Sequence, residues 1–315
     1  MTTIEAAEIE GGTGGRKKPT LKRPIWMEKP NPVVQVVKFV ALMISIALVI
    51  VPFWTVIVTS FADQKTSNSS GGGMVMWPKG FTLSAYRAVL TGGVVTRALM
   101  ISILVTLVGT ALSLATTAGL AYWLSRPLAT LRRPMLLLVL GAVLFSPGFI
   151  PVYLVVKQLG LLDSYWSLIL PVTVNAFNVI VMRAFFMELP QELFESAAID
   201  GASSATVLFK IVLPLSKAVL AVIGLFYAVA YWNAFFNALL YIQSSNKFPM
   251  ALVLRAFVVN QATIGGDQVG NTEVLPPQLS LQMAILVMAI LPIMVVYPFI
   301  QRHFAKGVMI GAVKG

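Results

Sequence analysis

The 315-residue sequence contains no cysteine, a single histidine and only 12 acidic residues. The first absence excludes a disulfide framework, thiolate metal ligands and a cysteine nucleophile. One imidazole, His303, and so few carboxylates leave almost no raw material for a hydrolytic or metal-binding constellation. No catalytic residue, metal site or cofactor bound by this chain is expected. Charged residues make up 11% of the chain against 57% hydrophobic, and a mean hydropathy of +0.84 excludes an ordinary soluble domain. The net charge of +11 does not imply a nucleic-acid partner. The basic residues are scattered around long apolar runs, where the anionic headgroups of membrane lipids account for them.

Along the chain, residues 1–32 read as a basic, disordered tail. Its Gly11–Gly15 run lacks the Gly-Lys-Ser/Thr ending of a phosphate loop, so no ATP site is expected there. Val33–Val58 is an uncleaved first span. A hydrophilic insert, Ala62–Gly93, carries a short helix with Tyr86 and Val89, capped by Thr82 or Ser84 and lying at the outer membrane surface. The second span, about Ala98–Leu124, is rich in small residues that allow close helix packing. The third, Met135–Val156, is kinked at Ser146-Pro147-Gly148. The fourth is about Ser167–Met187, with Arg183 snorkelling to the interface, and the fifth about Val219–Ile242. A polar loop, residues 243–278, leads to the sixth span, Leu279–Ile300, and a basic tail, residues 301–315. The result is an all-α integral membrane protein with six transmembrane helices over residues 33–300. Arginine and lysine concentrate on one side, which places both termini in the cytoplasm.

The same rule puts residues 188–214, between the fourth and fifth spans, on the cytoplasmic side. Pro190 opens a short helix and Gly201 stops it with left-handed angles; Ser203 or Ser204 then caps a second one. On a helical wheel Leu193, Phe194, Ala197 and Ala198 share one side, with Glu192, Glu195 and Ile199 opposite. Glu195-Ser-Ala197, then Gly201, then Ile211-x-Leu213-Pro214 resembles the cytoplasmic signature loop of ATP-binding-cassette importer permeases, with Ser196 in place of its first Ala.

Further stretches resemble the oligosaccharide, maltose-type branch of that family, and within it the aldouronate or alginate-type group. They include Trp77-Pro-Lys-Gly-Phe-Thr-Leu-x-x-Tyr86, Ser146-Pro-Gly-Phe-Ile-Pro-Val-Tyr153, Gly224-Leu-Phe-Tyr-x-Val-x-x-Trp-Asn233 and Lys306-Gly-Val-Met-Ile-Gly-Ala-Val-Lys-Gly315. The resemblance implies a type I importer permease, with a five-helix core and a first helix that embraces its partner, in a bacterial inner membrane. It implies a heterodimer with a homologous second permease, a dimeric cytoplasmic ATPase that uses ATP and Mg, and an extracytoplasmic sugar-binding protein. The ATPase would engage Leu193, Phe194, Glu195, Ala197, Ala198, Asp200 and Gly201 and drive alternating access. For the oligosaccharide path the fifth span offers aromatic faces and amides: Tyr227, Tyr231, Trp232, Asn233 and Asn237. Tyr227 and Tyr231 are expected to face the cavity, and at least one Asn to support the partner interface. A peptide or amino-acid permease would share the signature loop. An ion-coupled secondary transporter would need intramembrane carboxylates or histidines, and the acidic residues fall outside the spans or at their edges.

Overall fold

A computed structural model describes residues 31–77, 80–91, 93–127, 129–260, 262 and 276–312, with side chains through Pro298, and every regular element among them is helical. The basic tail before residue 31, the Gly265-Gly266 segment and the last three residues lie outside that range, as does the His303 side chain. The chain divides into two units, residues 1–51 and 52–315. The described part of the first is the apolar beginning of α1, Pro32–Ser60.

The second unit continues with α2 (Gln64–Ser69), α3 (Ser84–Leu90) and the 32-residue α4 (Val94–Ser125). Then come α5 (Arg132–Leu144), α6 (Phe149–Gln158), α7 (Trp166–Ile169) and α8 (Ala176–Met187). The signature segment forms α9 (Gln191–Ile199), α10 (Ser204–Val207) and α11 (Leu213–Leu215). Finally α12 (Lys217–Trp232), α13 (Phe235–Tyr241), α14 (Met250–Leu254) and α15 (Gln278–Ala312) complete the described chain.

By length and composition three helices can cross a membrane: α1, α4 and α15 as far as Pro298. The number rises to five if two bent pairs each count as one span. One joins α7 and its following 3₁₀ turn to α8 at 51°, and the other joins Ser204–Leu215 to α12 at 86°. The expected third span is not among them. Pro147 and Gly148, the latter at φ 76°, split it into α5 and α6, of 13 and 10 residues.

Two expectations need correction. The fifth span does not run unbroken to Ile242. Asn233 ends α12 by donating its side-chain amide to the Val229 carbonyl at 2.9 Å, and α13 begins afresh after Ala234. The segment read as a polar loop holds α14 and a π-helical turn through Val259, whose Met250, Val253 and Phe257 are buried at a spacing of three and four. The Gly and Pro residues that flank it mask this periodicity in the sequence. The sixth span corresponds to the apolar part, Gln278–Pro298, of a helix that continues to Ala312.

Two buried clusters meet on α4. Ala121 and Leu124 pack with Val179 and Met182 of α8 and Ile223 of α12. Val95 and Ala98 pack with Ala88 and Val89 of α3, Val253 of α14 and Ile285 of α15. α3 is thus packed along its inner face, and its Tyr86 hydroxyl bonds Ser60 Oγ at 2.7 Å. Two glycines bring α4 and α12 together. A Cβ on Gly109 would lie 2.7 Å from the Tyr231 ring, and one on Gly224 would lie 3.1 Å from Leu114.

Candidate functional site

The segment Pro190–Pro214 is built from local rules. Pro190 stands at the N-terminal boundary of α9, with Glu192 in its first turn. The helix stops in a Schellman motif: Gly201, at φ 68°, donates to the Ala198 carbonyl at 3.1 Å, and Ala202 donates to that of Ala197 at 2.9 Å. Ser203 Oγ then accepts from the Thr206 amide at 3.2 Å and caps α10. After a π-helical turn and α11, the chain bends at Ser216 into α12. The whole segment is therefore an arm set at a steep angle on one long helix.

The two sides of this arm follow the helical wheel, but the apolar stripe is shared between the chain's own core and the outside. Ala197 is buried in the main core, and Phe194 is half-buried against it. Ile199, placed opposite the apolar stripe, is the most exposed apolar side chain of the arm at 87%. Leu193, Glu195, Ala198, Asp200 and Gly201 are exposed with it, as is Phe209 after the turn. A short amphipathic helix buries one stripe against its own chain first. The wheel identified the stripe but not which surface would claim it.

Behind the arm, three arginines gather at the end of α4. The Arg126 guanidinium lies 3.7 Å from the Phe194 ring centre and 4.7 Å from that of Tyr122, whose hydroxyl accepts from it at 3.0 Å. Arg132 and Arg183 each donate Nε to the Leu124 carbonyl, at 3.0 and 3.1 Å. Cations here complement the C-terminal end of the α4 dipole. Arg183, expected to snorkel to the membrane interface, is spent on this carbonyl.

The substrate-path candidates sit elsewhere than expected. Tyr227 and Tyr231 are 3% and 4% exposed, and the cavity that Tyr231 borders, of about 10 Å³, is too small for a sugar. The Tyr227 hydroxyl bonds Thr117 Oγ1 at 2.7 Å and accepts from the Asn175 amide at 3.0 Å. The Tyr231 hydroxyl bonds Ser113 Oγ at 2.8 Å and donates to the Ile169 carbonyl at 3.3 Å. Ile169 and Asn175 flank the break between α7 and α8, where backbone groups lose their helical partners and lipid offers none. The tyrosines satisfy that break. Its trace in the sequence is the pairing of two hydroxyl residues four apart on α4 with two tyrosines four apart on α12. Trp232 donates to the Ala289 carbonyl at 3.1 Å and borders a cavity of about 300 Å³. Its other lining residues, among them Ile103, Leu225 and Pro292, are apolar apart from Thr106 and Tyr297, a lining unsuited to sugar hydroxyls. Asn233 is an exposed helix end and Asn237 is half-buried on α13.

Elsewhere a carboxylate ties two loops together. Asp163, at φ 57°, accepts from the amides of Gln243 and Ser244 at 3.0 and 2.9 Å and from Ser244 Oγ at 2.7 Å. Lys247 Nζ lies 2.9 Å from its Oδ2. The Ser244 hydroxyl first, then Lys247, hold this carboxyl well below the usual carboxylate range. A depressed folded value means that the clamp stabilises fully above the unfolded value of about 4 and fades as pH falls below it. Asp163→Asn is accordingly expected to melt lower than the parent at pH 7, with the gap narrowing steadily below about pH 4. A gap independent of pH would show that the carboxylate charge contributes nothing. Among the described residues no group of three His, Asp or Glu side chains gathers to hold a metal.

Comparison with known proteins places these features. The family model for the inner membrane component of binding-protein-dependent transport systems matches residues 111–310. The chain is 45% identical over 268 residues to the polygalacturonan/rhamnogalacturonan transport system permease protein YtcP of Bacillus subtilis (strain 168), covering 84% of this chain and 93% of that protein. It is 47% identical over 271 residues to protein LplC of the same strain, covering 85% and 90%. A solved structure of a bacterial ABC transporter involved in the import of the acidic polysaccharide alginate matches with a TM-score of 0.77 at 27% identity, over 88% of this chain and 100% of the matched one. The chain therefore belongs to the inner membrane components of binding-protein-dependent transport systems, the multi-pass permeases of ABC importers, which leave ATP hydrolysis to a separate subunit.

Proposed function

We propose that this permease carries an oligosaccharide inward, of the acidic, uronate-bearing class, and that α9 receives the stroke of the ATPase. The cargo class is supported by the relatives, which are named for polygalacturonan, rhamnogalacturonan and alginate. The mechanical role rests on one observation: α9 keeps one face in the permease core through Ala197 and Phe194 and holds out another through Leu193, Ala198 and Ile199. An exposed isoleucine beside Glu195 and Asp200, on a rigid Schellman-capped helix, fits an apolar groove with a basic rim. The partners are a homologous second permease in a heterodimer, an ATPase dimer that binds ATP and Mg, and an extracytoplasmic sugar-binding protein. Both termini and α9 face the cytoplasm. ATPase closure then moves the arm Pro190–Leu215, and the 86° bend at Ser216 delivers that motion along α12.

Ile199→Asp is the direct test, because it places a charge at the centre of the proposed contact without touching the core. Purified from its membrane, the variant is expected to lose its ATPase while retaining the second permease. Sugar uptake should fall with it, by at least about ten-fold, the loss typical of a buried anchor at an interface. An Ile199→Asp complex that keeps its ATPase and its uptake would remove α9 from the contact and unsettle the orientation with it. Uptake of peptides in preference to uronate-bearing glycans by the intact system would overturn the cargo.

A further inference from the structure

The geometry points to Arg126 as the residue that transmits the ATPase stroke from α9 to α4, a positioning role that rests on the reading of α9 as the docking helix. We infer it from how the two helices are joined. α9 is bonded to its own neighbours in sequence through backbone caps, and none of its four polar or acidic side chains, Gln191, Glu192, Glu195 and Ser196, bonds α4. Beside the non-directional packing of Ala197 and Phe194 in the core, the specific contact between the two helices is the Arg126 guanidinium, seated 3.7 Å over the Phe194 ring and bonded to the Tyr122 hydroxyl at 3.0 Å. No carboxylate pairs with Arg126 among the described residues. The aromatic faces are thus its principal partners, and the half-buried site strengthens that attraction by excluding water.

Its position gives the contact its consequence. Arg126 stands at the end of α4 next to Ser125, two residues beyond Leu124, whose carbonyl gathers Arg132 of α5 and Arg183 of α8. The ends of α4, α5 and α8 are therefore tied to one atom, and Arg126 is the link from that knot to α9. A displacement of α9 pulls three helices together through this link, in addition to the route along α12. A guanidinium over a ring tolerates sliding better than a hydrogen bond with a fixed direction, so the link survives the motion it transmits.

The test uses the complete importer with its partner permease, ATPase and sugar-binding protein in lipid vesicles. It compares Arg126→Ala, Arg126→Lys, Phe194→Leu and Ile199→Asp. The readout is the ratio of sugar imported to ATP hydrolysed, alongside the amount of ATPase retained. Arg126→Ala and Phe194→Leu are expected to retain the ATPase but to lower that ratio by about 3- to 30-fold, the range a partly desolvated cation–π contact corresponds to. Arg126→Lys, which keeps a cation over the ring, should recover some of the loss. Retained ATPase with an unchanged ratio in Arg126→Ala would overturn the link, as would loss of the ATPase itself, which would make Arg126 a component of the docking surface or the fold. Ile199→Asp separates the two ideas: if it keeps its ATPase the docking reading fails, whatever Arg126 does.

Discussion

Gly109→Ala is expected to destabilise the protein although alanine is the better helix former. The substitution gains about 1 kcal/mol in helix propensity. Against it stands a Cβ placed 2.7 Å from the Tyr231 ring, closer than carbon atoms approach without something moving. The ring cannot turn aside cheaply, being 4% exposed and held at its hydroxyl by Ser113 and the Ile169 carbonyl. Overpacking of this kind costs about 1–3 kcal/mol or more, because the neighbour is a rigid ring and the alternative is to push α4 and α12 apart. The clash wins, and Gly109→Ala should melt several degrees lower in lipid nanodiscs. Gly224→Ala is the control. Its Cβ meets the tip of Leu114 at 3.1 Å, a flexible end that can give, so its melting temperature should stay near the parent's. Pairing Gly109→Ala with Tyr231→Leu should recover some of the loss, since the double variant removes the ring that is struck. Equal melting of the parent and Gly109→Ala would show that α4 and α12 are not held at this distance.

The second large effect is expected from removing single hydroxyls at the break between α7 and α8. Tyr227→Phe leaves the Asn175 amide without an acceptor at the point where the helix is interrupted. Polar pairs between intact membrane helices average about 0.6 kcal/mol, because each member finds another partner when the pair is lost. A backbone amide in a break has no such alternative, so the unsatisfied-group cost of about 1–3 kcal/mol applies. Tyr231→Phe should cost less. The Ile169 carbonyl still accepts from Thr173 Oγ1 at 2.8 Å, and Ser113 can turn to a carbonyl of its own helix. Thermal unfolding in nanodiscs should therefore rank the proteins parent, Tyr231→Phe, Tyr227→Phe, with sugar preference the same in all three. A change of sugar preference in Tyr231→Phe at an unchanged melting temperature would return this side chain to the transport path.

Composition determined the solvent of this protein: with 57% hydrophobic residues and 11% charged, too little polar side chain is left to cover a surface facing water. Run lengths determined where the long helices lie, since α4 and α15 need no more than local apolar continuity. The signature arm was legible down to its turns. Pro190, the left-handed Gly201 and the Ser203 cap each act within a few residues of chain, where sequence and structure are nearly the same thing. What the chain does with these pieces was decided only by tertiary contact. A helical wheel assigns residues to sides but cannot say which surface will cover a side, so Ala197, expected to meet the ATPase, is buried in the chain's own core, while Ile199 stays exposed on the opposite side. The tyrosines of α12 looked like sugar-stacking faces because their partners, the Asn175 amide and the Ile169 carbonyl, lie 52 and 62 residues away. Those groups become available only where the chain breaks inside the membrane. There the tyrosine hydroxyls supply the partners that lipid cannot.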